Sequence, residues 1–80
     1  MKNRSVTDAW VLGNSASTRH LSTDGRNLWS YNLLIAVRDA YGMSVYDYTR
    51  SGRFISMTTS KHVGLALRSA GKANLLPPPN

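Results

Sequence analysis

The chain has 80 residues, enough for one small domain, and its content of 41% hydrophobic and 18% charged residues excludes a highly charged disordered segment. It has no cysteine and no apolar run near the roughly 20 residues that span a bilayer, which excludes a disulfide framework and a transmembrane helix and favours a cytoplasmic location. Ten Lys and Arg residues against four acidic residues give a net charge of +6 and a pI near 10.4. This charge favours negatively charged molecules as binding partners.

The first third of the chain favours short extended segments. Residues 1–5 are basic and polar and are expected to form a frayed leader. Residues 7–12 end in an apolar run that we interpret as a strand, closed by Gly13-Asn14. Residues 18–22 alternate in the manner of a second short strand. Asp24-Gly25 is then a turn signal, because glycine accepts a positive φ and aspartate bonds to nearby backbone.

The middle of the chain predicts the main part of a sheet. Residues 27–37 form the clearest strand, with one apolar face at period two and one mixed face, which suits the centre of an antiparallel sheet. Residues 39–42 interrupt it, residues 43–48 form the next strand, and residues 50–53 turn into a returning strand at 54–58. The apolar face of the longest strand comprises Trp29, Tyr31, Leu33, Ile35 and Val37.

One helix is expected after the sheet. Residues 60–70 carry apolar side chains at helical spacing, the hydroxyls at positions 58–60 are N-cap candidates, and Gly71 suits the position after the helix. The proline run makes residues 77–80 an extended tail beyond a single domain at 1–76. The predicted fold class is therefore α+β: a small antiparallel sheet of three to five strands packed on one C-terminal helix.

Two segments together resemble a family of short bacteriophage proteins of uncharacterised function. One reads Ser-Tyr-Asn-Leu-Leu-Ile-Ala from Ser30, and the other reads Ser-Met-Thr-Thr-Ser-Lys-His from Ser56. In that family a Ser-Tyr-Asn strand precedes a Ser-x-Thr-Thr-Ser-Lys-His turn into a helix, and the similarity covers residues 30–62. The chain departs from the pattern at Leu33, where a threonine is expected, and at Val63, where a glutamine is expected. The resemblance implies a phage-type accessory protein in the host bacterial cytoplasm and implies no particular activity.

The second of these segments carries the densest polar cluster. Hydroxyls and free backbone N–H groups at a helix start can bind an anion, so Thr59, Ser60 and Lys61 are a candidate anion site. The same residue types are also the usual helix N-cap, in which case they serve the backbone alone. We favour the capping role, and the two roles do not exclude each other.

The sequence offers few residues for catalysis or metal binding. His20 and His62 lack a third ligand at metal spacing, and the chain has neither cysteine nor glutamate. It contains no Gly-x-Ser-x-Gly motif, and the Ser-x-x-Lys string at Ser69 stands without its accompanying motifs. The aspartates fall mostly at turns or strand ends, where backbone reasons favour them. We therefore predict that the protein is not an enzyme and uses no metal or cofactor.

Aromatic and basic side chains are interleaved around the predicted hairpin. Tyr46 and Tyr48 share one strand face, and arginines lie at the adjoining turns. Sheet-based modules hold single-stranded nucleic acid by stacking bases on such rings and by arginine contacts to phosphates. The alternative, of equal weight, is that the rings pack as amphipathic cover and the cations are merely solvated. The candidate binding residues are Arg38, Tyr46, Tyr48, Arg50, Arg53, Lys61 and Arg68.

The sequence thus favours binding over catalysis. The leading hypothesis is a small basic phage-type protein that engages nucleic acid, or an acidic or nucleoprotein host partner that handles nucleic acid. The alternative is a stoichiometric inhibitor of a host enzyme or an anti-phage defence system, in the manner of anti-CRISPR proteins. An oligomeric structural component is the third hypothesis. The leading one requires the cations to gather on one face and Tyr46 and Tyr48 to stay accessible.

Overall fold

The computed structural model describes residues 2–79, which form an α+β fold of two helices and one six-stranded sheet. The predicted fold class is confirmed, with one helix and one strand more than the expected maximum. Residue 1 of the predicted leader and domain and residue 80 of the predicted tail lie outside the described residues. The elements are α1 (Asn3–Leu12), β1 (Ser15–Ser17), β2 (Leu21–Asp24), β3 (Asn27–Ser30), β4 (Leu33–Asp39), β5 (Gly42–Tyr46), α2 (Met57–Ala70) and β6 (Asn74–Leu76).

The strands lie across the sheet in chain order. Neighbouring strands are antiparallel from β1 to β5, whereas β6 pairs in parallel with β5. A parallel pair needs a long crossover, and α2 supplies it between β5 and β6. The helices pack on each other, α1 over β1 to β3 and α2 over β4 and β5. No helix among residues 2–79 combines the length and the apolar character that a membrane crossing requires.

Helix α1 replaces the strand predicted at residues 7–12 and takes in most of the predicted leader. Val6 and Trp10 lie one helical turn apart and are both fully buried, which is the spacing of a helix rather than a strand. The helix ends at Gly13, whose φ of 82° is left-handed. The strand prediction was wrong because it considered only the apolar run from Ala9 onward and not the earlier Val6.

The long strand predicted at residues 27–37 is a hairpin. Strands β3 and β4 pair around a two-residue turn at Tyr31-Asn32, with Ser30 opposite Leu33. Tyr31 adopts a φ of 55°, a conformation that a tyrosine rarely takes, and the turn lacks the Asn-Gly or Asp-Gly pair that usually marks a two-residue reversal. An uninterrupted alternation of apolar residues therefore concealed a chain reversal.

A β-bulge in β4 breaks the predicted alternation further. Trp29 pairs with Leu34 and Leu28 pairs with Ala36, so Ile35 is an extra residue. Ile35 and Ala36 are both fully buried although they are adjacent. The core side of β3 carries Leu28 rather than Trp29, which reverses the predicted face.

The strand predicted at residues 54–58 is absent: residues 54–56 belong to a loop between β5 and α2, and residues 57 and 58 begin α2. The Asp47 carboxylate organises this loop by accepting hydrogen bonds from the Thr49 hydroxyl, from the Thr49 N–H at 3.2 Å and from Ser51 Oγ at 2.9 Å. The bonds from Thr49, reinforced by Ser51, lower the pKa of Asp47 below its ordinary value. A Cβ on Gly52 would collide with the Asp47 carbonyl oxygen, so the loop also requires a glycine there.

Candidate functional site

A buried polar network joins the two sequence motifs that begin at Ser30 and Ser56. Ser30 Oγ lies 2.7 Å from His62 Nδ1 and 3.2 Å from Thr59 Oγ1. Ser56 Oγ donates to Thr59 Oγ1 over 3.2 Å. Ser30, Thr59 and His62 are each at most 2% exposed, so these hydrogen bonds replace solvent. The two motifs therefore meet in space at the junction of the β3–β4 turn and the start of α2.

Helix α1 determines which nitrogen of His62 carries the hydrogen. The Thr18 hydroxyl donates to Asn3 Oδ1 over 2.7 Å, so the Asn3 amide nitrogen is the atom 3.4 Å from His62 Nε2. An amide NH2 group only donates, so Nε2 accepts and Nδ1 carries the hydrogen. His62 therefore donates to Ser30 Oγ, which is opposite to the arrangement in which an imidazole accepts a serine proton.

The environment of His62 also disfavours its charged form. Burial lowers the pKa of His62 below the ordinary value of 6.5, and the nearby His20 lowers it further. Protonation of Nε2 would place a second donor against the Asn3 amide group, because that nitrogen is the acceptor. His62 is thus a neutral member of the core at physiological pH.

An open cleft lies over this network, and we call it the Tyr31 cleft. Its volume is about 400 Å³, within the range of small-ligand sites. The hydroxyls of Ser30, Ser56 and Thr59 form its polar part, while Leu33 and Ile55 provide apolar walls. The cleft is lined by Ser30, Tyr31, Asn32, Leu33, Ile55, Ser56 and Thr59.

Tyr31 is the unusual residue of this cleft. It is the one non-glycine residue among the described residues with a positive φ, 55°, and a left-handed conformation costs a non-glycine residue about 1–2 kcal/mol. Its side chain is 51% exposed, and its ring centroid lies 4.9 Å from that of His20. Tyr31 therefore presents to solvent an aromatic ring that is supported by His20, and its backbone adopts an unfavourable conformation.

A second concave surface runs along the outer side of α2, and we call it the α2 groove. It has a volume of about 490 Å³, and no described carboxylate lines it. The Arg50 guanidinium reaches its near end, where Nη2 lies 3.9 Å from Met57 Sδ and Cζ lies 5.5 Å from the Phe54 ring centroid. The groove is lined by Met57, Ser60, Lys61, Gly64, Leu65 and Arg68.

The cleft and the groove are lined by consecutive residues of the chain. Ile55 and Ser56 line the cleft, and the next residue, Met57, lines the groove. Phe54, Ile55 and Met57, where the two linings adjoin in the chain, are 42%, 51% and 56% exposed. The start of α2 thus contributes to a polar-floored cleft, an exposed apolar segment and a basic groove.

The structure brings together only part of the predicted basic set. Arg50, Lys61 and Arg68 lie at the α2 groove, and Arg53 is exposed on the same loop as Arg50. Arg38 lies elsewhere, half-buried near the end of β4, where its Nε donates to a backbone carbonyl over 3.1 Å. Arg38 therefore lies outside the α2 groove.

The predicted stacking residues are replaced by a different tyrosine. Tyr48 is 5% exposed and belongs to the hydrophobic core, so it offers no ring face to a base and the predicted role is corrected. Tyr46 is half-buried and packs against the same hydrophobic core. Tyr31 is the accessible ring at the site, and its position in the Ser-Tyr-Asn motif was the available signal.

The candidate anion site does not assemble as predicted. Thr59 is 2% exposed and belongs to the polar network, whereas Ser60 and Lys61 line the α2 groove. Helix capping falls to Ser56, whose Oγ accepts from the Thr59 N–H over 3.1 Å, and not to positions 58–60. Among residues 2–79, no group of three metal-ligating side chains converges.

Comparison with known proteins yields no match to a family model, a curated protein or a solved structure. The function is therefore inferred from the cleft, the groove and the charges around them. Fold similarity would in any case not define the chemistry of a site.

Proposed function

We propose that this protein is a non-catalytic module that binds single-stranded nucleic acid, with phosphates lying along the α2 groove. The supporting observation is the charge of this surface. Arg50, Lys61 and Arg68 surround the groove, and none of the described carboxylates lines it. Phosphate contacts by Lys and Arg provide the sequence-independent part of nucleic-acid affinity.

The acidic residues are engaged elsewhere, so they leave this field uncompensated. Asp8 forms a salt bridge with Arg4 at 3.2 Å on α1. Asp24 and Asp39 accept backbone N–H groups in turns, and the Asp47 carboxylate is held inside its own loop. The positive potential over α2 is therefore expected to persist in the folded protein.

The groove has dimensions and composition that suit an extended strand. Lys61 and Arg68 are two helical turns apart, or about 10 Å along the axis. Gly64 lies between them and places no side chain in the groove, so a sugar–phosphate backbone can approach closely. The exposed Phe54 and Met57 beside Arg50 offer apolar contacts that unpaired bases use and a closed duplex does not.

A non-catalytic role is supported by the polarity of the Ser30–His62 pair. Because His62 donates to Ser30, no imidazole nitrogen is placed to remove the Ser30 proton. The resemblance to short phage proteins is compatible with an accessory binding protein of this kind.

The test is a salt titration of binding to a fluorescein-labelled oligothymidylate and the matching oligouridylate. Three or four phosphate contacts predict a slope of log Kobs against log salt of about −2 to −3. The double variant Lys61→Ala/Arg68→Ala removes two contacts and should reduce this slope by about 1.4. Because both side chains are exposed or half-exposed, thermal stability should change little.

The matched control is Arg26→Ala/Lys72→Ala, which removes the same charge from positions outside the groove. It should retain most of the wild-type affinity and slope. Equal losses in both double variants would indicate diffuse attraction by net charge and would contradict a groove. Absence of binding at low ionic strength would end the proposal.

The second candidate is stoichiometric inhibition of a host enzyme or defence complex. Phe54, Ile55 and Met57 form an exposed apolar strip beside Arg50, and aromatic, Met and Arg residues are enriched at protein interfaces. A pull-down from nuclease-treated bacterial lysate, with Phe54→Ser/Met57→Ser as the control variant, distinguishes the two functions. A protein retained by wild type and lost by this variant favours inhibition, whereas loss of all partners after nuclease treatment favours nucleic acid.

A further inference from the structure

We propose that the Tyr31 cleft holds one unpaired nucleobase of the strand whose phosphates occupy the α2 groove, and that it selects a base with a carbonyl acceptor. This inference rests on the proposed function and adds a base-reading site to it. The ligand is a pyrimidine with carbonyl oxygens, thymine or uracil, stacked on Tyr31.

The path of the strand is inferred from the adjacent linings of the two sites. Ile55 and Ser56 line the cleft and Met57 begins the groove, so a nucleotide over Met57 has its neighbour over the cleft. Arg50, held against Phe54, lies beside this junction and is placed to contact the intervening phosphate. Base and phosphate contacts are thus available on one side of the molecule.

Tyr31 supplies the stacking surface. Its ring is 51% exposed and rests at 4.9 Å from His20, so its orientation is set before any ligand arrives. Glycine would fill this turn position without strain, and the tyrosine there contributes little to the core. An exposed ring held in a strained turn is better explained by a contact with a partner than by folding.

The floor of the cleft supplies a hydrogen-bond donor. His62 Nδ1–H and the hydroxyls of Ser30, Ser56 and Thr59 bring four hydrogens, but three hydrogen bonds join these groups. One hydroxyl hydrogen, on Ser30 or Thr59, therefore has no acceptor in the protein. Both residues are at most 2% exposed but line the floor of the cleft, so only a ligand that enters the cleft can accept from it. A base carbonyl oxygen satisfies this donor, whereas an exocyclic amino group does not.

Asn32 extends this selectivity to the mouth of the cleft. Its side chain is exposed, and its amide offers one donor group and one acceptor oxygen. Thymine and uracil present an N–H between two carbonyl oxygens, which matches an amide at the mouth and a hydroxyl at the floor. Adenine presents an amino group instead of a carbonyl and leaves the hydroxyl with a poorer partner.

The experiment compares Tyr31→Gly with Tyr41→Gly in the same oligothymidylate titration. Tyr41 is 98% exposed and lies outside the cleft and the groove, so it is the matched aromatic control. Loss of one stacked base should weaken binding by Tyr31→Gly about five- to a hundredfold without changing the salt slope, because the phosphate contacts remain. Tyr41→Gly should bind as wild type does.

A second readout does not depend on affinity. An oligothymidylate with a single 5-iodouracil, which keeps both base carbonyl oxygens, photocrosslinks to an aromatic ring that stacks on it, and wild type should crosslink where Tyr31→Gly does not. Ile55→Ser, which alters an exposed wall residue, should also weaken binding if Tyr31→Gly fails to fold. Oligoadenylate should bind more weakly than oligothymidylate to wild type, and Tyr31→Gly should reduce that difference.

The outcomes separate this inference from the proposed function. A steep salt slope with unchanged affinity in Tyr31→Gly and Ile55→Ser would overturn the cleft site and leave the groove intact. Absence of oligonucleotide binding by wild type would overturn both. Retention of a host protein that the Ile55→Ser variant loses, without oligonucleotide binding, would make the cleft a protein-docking site and overturn the nucleobase assignment.

Discussion

The chain adopts left-handed conformations at both ends of β3, but with different residues. Before β3, at the glycine end, Gly25 of the β2–β3 turn has a φ of 95° and lies against Gly13, which follows α1 with a φ of 82°. At the other end Tyr31 has a φ of 55°. At the glycine end neither position has room for a Cβ, which would meet the Arg38 guanidinium at Gly13 and the Gly13 carbonyl oxygen at Gly25, although an open pocket of about 310 Å³ lies beside them. At the tyrosine end the left-handed residue carries a large side chain, which lines the Tyr31 cleft.

The basic residues at the two ends differ in the same way. The Arg38 guanidinium lies against Gly13, and its Nε donates to the Gly25 carbonyl oxygen over 3.1 Å, so its charge serves the end of α1. Lys61 and Arg68 line an open groove instead. Net charge therefore overstates the cationic surface available to a partner, because part of it is used in folding.

The largest expected effect comes from breaking the glycine end with Gly25→Ala. A Cβ on Gly25 would lie 2.5 Å from the Gly13 carbonyl oxygen in a buried site, so the variant combines left-handed strain with overpacking. We expect a loss of about 2–4 kcal/mol in the free energy of unfolding, measured by urea titration.

Gly71→Ala is the control for that measurement. Gly71 has a φ of 70°, but a Cβ there meets nothing within 4 Å, so only conformational strain of about 1 kcal/mol is expected. Equal losses of stability in the two variants would show that the contact between Gly13 and Gly25 is not tight. The loss in Gly25→Ala would then come from backbone strain alone and not from overpacking.

The next effect tests the polar network at the tyrosine end through its pH dependence. The folded pKa of His62 is lowered mainly by burial, so the unfolded chain binds a proton more readily than the folded protein. Stability is therefore present above the unfolded pKa of about 6.5 and is lost as the pH falls below it, by up to about 1.4 kcal/mol per pH unit. His62→Gln should be less stable at pH 7.5 and should lose this dependence between pH 7.5 and 5.

His20→Gln provides the matched histidine removal. It leaves His62 buried against Ser30 and should therefore retain most of the acid-dependent loss of stability. If His20→Gln removes the slope and His62→Gln retains it, the buried neutral state assigned to His62 is wrong.

The sequence predicted the elements whose signals are local. Helix α2 follows from its apolar spacing and Gly71, and β5 from a short alternating run, so both were found within a few residues. The β3–β4 reversal was missed because tyrosine is not a usual turn residue. The loop between β5 and α2 was missed because it depends on the hydrogen bonds of Asp47. Local patterns do not encode either feature.

The candidate site was only partly predictable for the same reason. The Ser30 and Ser56 segments were recognised as a pair, but the network that joins them also includes Asn3 and Thr18, which come from α1 and the β1–β2 turn. Such a network is visible only when distant segments are brought together. The groove was anticipated more fully, because Lys61 and Arg68 share one face of a helix that the sequence does predict.

The smallest expected effect is on the stability of Tyr31→Gly. This variant tests whether the left-handed conformation of Tyr31 serves a binding surface or is required for folding. Glycine relieves the left-handed conformation but gains unfolded-state entropy and loses the contact with His20, so these changes nearly offset. We expect thermal unfolding to show between no change and a gain of about 1 kcal/mol. Tyr41→Gly, at a position without positive φ, should instead lose about 0.5–1 kcal/mol. A larger loss in Tyr31→Gly than in Tyr41→Gly would mean that Tyr31 is needed for folding, and its strained conformation would no longer argue for a partner.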